Sequence, residues 1–237
     1  MNNLLLAFKK AKKGKSKKWY VQEFESNLDN ELTNLRSELK AQTYKPSSLK
    51  RFIIRDPKTR VIHASAFRDR VVYHAVCNII EPVFERIFIH DTYANRKNKG
   101  THAALERFER FKQQVTRNGE LLTNHKDNNM VVGYALKADI KHYFDTVDLE
   151  VLMKIIGKKI SDRTVLQLIK TILDNHDFKI QGKGMPLGNL TSQFFANVYL
   201  TELDYFVKHN LRAKFYMRYV DDFVILHRSR EKLILYM

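Results

Sequence analysis

Two stretches of the chain put carboxylates where stability alone would not. Tyr134-Ala135-Leu136-Lys137-Ala138-Asp139 is a strand-like run that closes on an aspartate, and Tyr219-Val220-Asp221-Asp222 sets adjacent aspartates between β-prone residues. Strands disfavour Asp, and neighbouring carboxylates repel each other, so the placement calls for a compensating partner. A divalent cation is such a partner. Mg²⁺ takes oxygen ligands and keeps several waters, so two or three carboxylates from separate strand ends suffice. Two such ions, roughly 3.5–4 Å apart, clamp the attacking and leaving oxygens of an in-line displacement at phosphorus. Asp139, Asp221 and Asp222 are therefore candidate catalytic metal ligands, provided the fold aligns the two strand ends.

The elements that must do this are readable from hydrophobic period and turn chemistry. Residues 131–140 form a strand, mostly apolar and so expected to be buried. Residues 215–219 and 223–226 form a hairpin with the aspartate pair at its turn. Upstream, residues 21–40 carry an amphipathic helical stripe, and 50–55 with 60–64 make a β-hairpin with a basic tip. A helical pattern over 67–89 is interrupted or started afresh at Pro82, another helix runs over 101–115, and 118–129 is a polar connection. Asp148 caps a helix to about 156, and Ser161-Asp162 starts one to about 175. Residues 181–188 contain three glycines, so the backbone bends there and can approach a ligand closely, before helix over 190–210. Strands mixed irregularly with helices make this an α+β chain.

The 237 residues carry 42 Lys plus Arg against 26 Asp plus Glu, a net charge of +16, which favours a polyanionic partner, nucleic acid above all. Apolar residues at 44% supply a real core and exclude a disordered tail. Residues 9–18, with seven lysines, read as a solvated basic arm or a contact to a phosphate backbone. The single cysteine, Cys77, lies in an apolar run as a buried structural thiol, so a reducing, cytoplasmic setting is expected. No run approaches the ~18 apolar residues of a membrane span, so no membrane partner is expected.

With these residues in view, the chain resembles the reverse transcriptases. Asp139-Ile140-Lys141-His142-Tyr143-Phe144-Asp145 is similar to their first catalytic motif, and Tyr219-Val220-Asp221-Asp222 to their aspartate-pair box. Met185-Pro186-Leu187-Gly188-Asn189-Leu190-Thr191-Ser192-Gln193 resembles their nucleotide-pocket motif, and Arg60-Val61-Ile62-His63-Ala64-Ser65-Ala66-Phe67-Arg68-Asp69-Arg70-Val71-Val72 the fingers motifs of the bacterial branch. The resemblance implies a right-hand polymerase: a basic helical extension over 1–48, fingers over 49–130, and a palm over 131–237 whose antiparallel sheet carries the aspartates, helices packed on one face. That palm is expected to be incomplete and the thumb absent, leaving activity weak. It further implies two Mg²⁺ ions, or Mn²⁺ in their place, held by Asp139, Ile140, Asp221 and Asp222, an RNA template, a DNA or RNA primer, and dNTPs. Ile140, Phe144, Leu187, Gly188, Arg60, Arg68 and Lys58 would contact the nucleotide, the ring of Phe144 excluding a 2′-hydroxyl. Guanidinium groups match phosphate oxygens in pairs. Arg96, Lys97, Lys99 and Tyr219 would follow the nucleic acid.

Leu187 departs from the common pattern, in which Gln precedes the glycine. That form, with Phe67-Arg68-Asp69-Arg70 and Tyr93-Ala94-Asn95-Arg96-Lys97-Asn98-Lys99-Gly100-Thr101-His102, resembles the reverse transcriptases of diversity-generating retroelements. Error-prone copying and a small basic accessory protein are what that likeness implies. Physically, an aliphatic side chain gives the nucleotide no hydrogen bond and relaxes the pocket. The rivals are a retron, group II intron-type or phage-defence enzyme of ordinary fidelity, and a catalytically inactive basic RNA-binding module.

Overall fold

The computed structural model describes residues 1–116, 133–176 and 180–237. In chain order the elements are α1 (Asn2–Lys12), α2 (Trp19–Ser26), α3 (Leu28–Ala41), β1 (Lys50–Ile54), β2 (Arg60–Ala64), α4 (Phe67–Glu85) and α5 (Thr101–Val115). Then come β3 (Tyr134–Asp139), α6 (Tyr143–Thr146), α7 (Leu149–Gly157), α8 (Arg163–Asp174), α9 (Leu190–Tyr199), α10 (Thr201–Tyr205), β4 (Phe215–Tyr219), β5 (Asp222–His227) and α11 (Arg230–Ile234). Both sheets are antiparallel, as an α+β chain requires. The chain divides into two units, residues 1–87 with 142–199 and residues 88–141 with 200–237.

The first unit is organised on α4, whose Val71, Val72, Ile80 and Phe84 are buried. Leu4, Ala7, Phe8 and Ala11, spaced three and four apart, turn one face of α1 inward, and Phe8 stacks on Phe24 with ring centres 5.8 Å apart. The basic arm expected over 9–18 is thus in part the last turn of a packed helix. Its Lys12 pairs with Glu25, and Lys10 donates to Asn78. The single helix expected over 21–40 is two, broken at Asn27, because Ser26 and Asn27 turn their side chains to local partners: Ser26 Oγ donates to Glu23 O at 2.8 Å, and Asn27 Oδ1 accepts from Asn30 at 2.7 Å. Pro82 does not interrupt α4, which continues to Glu85. The caps at Asp148 and Asp162 are made as expected, the latter accepting from Thr164 N at 2.8 Å and Val165 N at 3.1 Å. Cys77 is buried, and burial pushes its thiol pKa up.

Among the described residues the second unit carries a three-stranded sheet in the order β3-β5-β4. Side chains alternate across a strand, so Phe215, Met217, Val224 and Leu226 share one face, where they pack with Phe111 and Val115 of α5. Tyr216, Ile225 and Leu136 share the other, with Val207 and Leu233 of α11. The helix expected over 190–210 is segmented into α9, α10 and a π-helical turn, Phe206–Asn210. β3 corrects an expectation: it is not buried, for Tyr134, Ala135, Lys137 and Asp139 are exposed and only Leu136 and Ala138 half-buried. Among the described residues it is an edge strand, and α5 covers β4 and β5 but not the outer face of β3. The ends of that strand at 131 and 132, and the connection at 118–129, lie outside the described residues.

Candidate active site

Antiparallel register places Asp139 directly opposite Asp222, and Asp222 directly opposite Tyr219. Directly opposed residues project from the same face of a sheet with Cβ atoms about 4.5–5.5 Å apart. Two carboxylates and a phenol therefore stand side by side at one end of the sheet. Asp139 and Asp222 are both exposed. Like charges directly opposed across a ladder are destabilising by about 0.2–1 kcal/mol, so nothing in the packing asks for this pair. Lys137, two residues before Asp139 on the same face, brings its Nζ to 3.9 Å from Asp222 Oδ1. Asp221 lies in the turn between β4 and β5, half-buried. Among the described residues no group of three His, Cys, Asp or Glu side chains is gathered to hold a metal. The structure thus brings two of the three predicted carboxylates together by register and leaves the third in the adjoining turn. Hard oxygen donors open to water fit Mg²⁺, which retains much of its own hydration.

The turn is held from below by residues that the sequence reading passed over. Arg218, on the opposite face of β4, is wholly buried, and its Nε and Nη2 donate to Asp204 of α10 at 2.7 and 2.6 Å. Its Nη1 donates at 2.8 Å to the carbonyl of Val220. Val220 sits at φ 56°, a left-handed conformation rare for a β-branched residue. Tyr216 also donates to Asp204, at 2.7 Å, and burial followed by that negative charge drives the Tyr216 phenol far above its ordinary pKa. The signal was a charged residue inside the strand pattern Phe215-Tyr216-Met217-Arg218-Tyr219, immediately before the aspartate box.

Loop 91–99 is likewise tied to the protein. The Arg218 amide donates to Asp91 O at 2.9 Å, and Tyr93 N donates to Arg218 O at 3.1 Å. Burial pushes the Asp91 carboxyl up, but hydrogen bonds from Arg107 and His90, with Lys208 nearby, outweigh it and hold the group below the usual carboxylate range. Arg96 donates to Ile89 O at 2.8 Å and to Thr92, and lies over the Phe88 ring; Lys99 donates to His90 O at 2.8 Å. Of the predicted nucleic-acid contacts in this loop, Lys97 is the exposed one. Tyr219 is 40% exposed, its hydroxyl 3.3 Å from that of Thr101 at the start of α5.

The first unit holds the remaining predicted residues except Ile140, which follows β3 in the second. His63 N of β2 donates to Leu187 O at 2.9 Å, and Met185 N donates to Phe144 O at 2.7 Å. The glycine loop thereby joins the β1–β2 hairpin to α6. Gly188 adopts φ 109°, and a Cβ there would stand 2.7 Å from Ile62 Cγ2, so glycine is required by close approach to β2. At Gly188 the loop expected to approach a ligand lies against β2. Arg60 and Lys58 are exposed at that hairpin. Arg68, by contrast, pairs with Glu38 and lies over the Tyr44 ring at 5.6 Å, while the neighbouring buried Asp69 accepts from Tyr44 Oη at 2.8 Å and Ser47 N at 3.0 Å.

All four motifs lie inside the span matched by one family model. The family model described as reverse transcriptase (RNA-dependent DNA polymerase) matches residues 45–237. Protein YkfC of Escherichia coli (strain K12) is 30% identical over 190 residues, covering 77% of this chain and 47% of that protein. The group II intron-encoded protein LtrA of Lactococcus lactis subsp. cremoris is 28% identical over 212 residues, 86% of this chain and 32% of that protein. The chain therefore spans less than half the length of these relatives. Among solved structures, telomerase from Candida albicans in complex with a fragment of telomeric RNA shares the fold at a TM-score of 0.54 and 12% identity, covering 83% of this chain and 40% of that one. Apo telomerase from Candida tropicalis gives 0.51 at 14% identity, covering 84% and 48%.

Proposed function

The chain belongs to the reverse transcriptase (RNA-dependent DNA polymerase) family, and from that premise we propose that it is the catalytic part of an enzyme that copies RNA into DNA by metal-assisted nucleotidyl transfer. The observation that carries this is the register pairing of Asp139 with Asp222, an exposed like-charge pair with no packing rationale. Asp139, Asp221 and Asp222, with Ile140 beside them, would hold two Mg²⁺ ions, or Mn²⁺ in their place. When bound, these ions supply Lewis acidity at the primer 3′-hydroxyl and neutralise the triphosphate. The protein's own share is to fix the carboxylates on a rigid strand pair and to orient the nucleotide. Arg60 and Lys58 are the exposed cations for the triphosphate, and the Phe144 ring selects deoxynucleotides. Gly188 and Leu187 are nucleotide contacts in this reading. Lys97 and Tyr219 contact the template or primer, whereas the partners of Arg68, Arg96 and Lys99 suit them to shaping the surfaces around them. In this reading residues 1–48 are a basic helical extension, 49–130 the fingers and 131–237 the palm. The reduced, buried Cys77 suits a cytoplasmic enzyme, and no helix among the described residues is long and apolar enough to cross a membrane.

Primer extension on an RNA template, run with dNTPs against NTPs, tests this. Mg²⁺-dependent extension with dNTPs that disappears in Asp139→Asn is the expected result, and extension that survives this substitution contradicts the assignment.

Within the family, Leu187 supports an error-prone enzyme of the diversity-generating type with a small basic accessory protein, because the pocket offers no side-chain amide at that position. Leu187→Gln should then lower misincorporation opposite template adenine, and an unchanged error spectrum removes the reading. The second reading, a group II intron-type enzyme of ordinary fidelity, is favoured by the likeness to LtrA.

A further inference from the structure

The carbonyl held by Arg218 belongs to the residue that turns the chain into the aspartates, and we propose that the buried Arg218–Asp204 pair is the positioning device of the cation seat. This deepens, and rests on, the function proposed above. A sheet core has no need of an ion pair at this place: hydrophobic residues of the same volume are often as stable or more so, since both charges must be desolvated. What the guanidinium offers is a rigid fork. Two of its nitrogens are directed at Asp204, at 2.7 and 2.6 Å, which leaves Nη1 aimed at Val220 O at 2.8 Å. Val220 in turn holds φ 56°, a conformation that glycine adopts readily and valine does not. The surrounding structure must therefore impose that turn, and Arg218 supplies the contact that does so.

The fork itself is fixed from three sides. Asp204 is 1% exposed and is steadied by Tyr216 Oη at 2.7 Å. The Arg218 main chain is bonded on both its amide and its carbonyl to Asp91 and Tyr93. Asp91 is anchored by Arg107 of α5 at 2.8 Å, the helix whose first residue meets Tyr219. One continuous set of contacts thus fixes the Val220 carbonyl, and hence the directions in which Asp221 and Asp222 leave the turn. Lysine keeps the charge toward Asp204 but, as a single ammonium, cannot reproduce the fork.

Mn²⁺ binding followed by electron paramagnetic resonance, alongside thermal unfolding, tests the role on the full chain. Groups that orient metal ligands from behind typically account for about 10–100-fold in metal affinity. Arg218→Lys and Asp204→Asn are expected to weaken Mn²⁺ binding about 10-fold or more by that measure. Leu233→Ala, a core truncation in the same unit, should lower the melting temperature without changing affinity. Wild-type affinity in a folded Arg218→Lys or Asp204→Asn chain overturns the inference, as does an equal loss in Leu233→Ala. If circular dichroism shows both pair variants unfolded, the pair belongs to the fold and the positioning role is likewise overturned. An unsubstituted chain that binds no Mn²⁺ sinks the metal reading itself, a result distinct from all of these.

Discussion

Asp204 and Asp222 lie in the same unit and are opposites. Asp204 is sealed, with side-chain exposure of 1%, a bidentate arginine and a tyrosine hydroxyl. Asp222 has 54% of its side chain exposed, faces another aspartate across the ladder, and has only Lys137, at 3.9 Å, as a described countercharge. A buried carboxylate must be paired because desolvating an isolated charge is prohibitive. An exposed one needs no partner, so an exposed pair placed in register is explained by what it meets from solution. The difference separates the carboxylate that builds the site from those that operate it.

The sharpest way to break that contrast is to remove one partner from each. Arg218→Met strands Asp204 in the core and should cost about 3–5 kcal/mol, read by urea unfolding. Asp222→Asn should leave stability within about 0.5 kcal/mol of the parent, as surface changes do, or raise it by relieving repulsion. Comparable losses in the two variants would erase the distinction. The first unit offers a similar test of tightness: Gly188→Ala combines a strained φ with a 2.7 Å contact to Ile62 and should destabilise by about 1–3 kcal/mol in thermal melts.

Asp91 extends the contrast to pH. Its carboxyl is held below the ordinary value in the folded chain, so its stabilising contribution is present above the unfolded value of about 4 and lost as pH falls through the lower, folded one. Stability measured from pH 5 downward should therefore fall less steeply in Asp91→Asn than in the parent. The smallest effect belongs to Lys137→Ala. The pair is exposed and long, and such pairs contribute about 0–1 kcal/mol. Stability should barely move, while Mn²⁺ affinity rises by no more than about twofold as the competing cation is removed.

Most elements were legible because their signals are local. Asp148 and Asp162 announce their helices through caps, helix 101–115 through its apolar period, and the aspartate hairpin through β-prone runs around a polar turn. The misread elements depended on tertiary context. Whether β3 was buried turned on which strands α5 covers, which no property of 131–140 encodes. Residues 9–18 read as an arm because the apolar face of α1, which makes the first of them helical, begins before them; their lysines are exposed except half-buried Lys12. Arg68 was expected at the triphosphate from the likeness of its motif and the shape of its guanidinium, and Glu38 and Tyr44, far off in the chain, reveal a further engagement. In the site, motif spacing pointed to the three aspartates, and register delivered Asp139 beside Asp222. Arg218 was visible as a letter next to the box, but its burial and its hold on Val220 depend on Asp204, brought up by a separate helix.

The central claim, that the Asp139–Asp222 pair is a cation seat, is tested most directly by titrating the chain with Mn²⁺ and following water-proton relaxation. Saturable enhancement lost in both Asp139→Asn and Asp222→Asn, with melting temperatures not lowered, is the predicted result. Enhancement that persists undiminished in both variants would contradict the account.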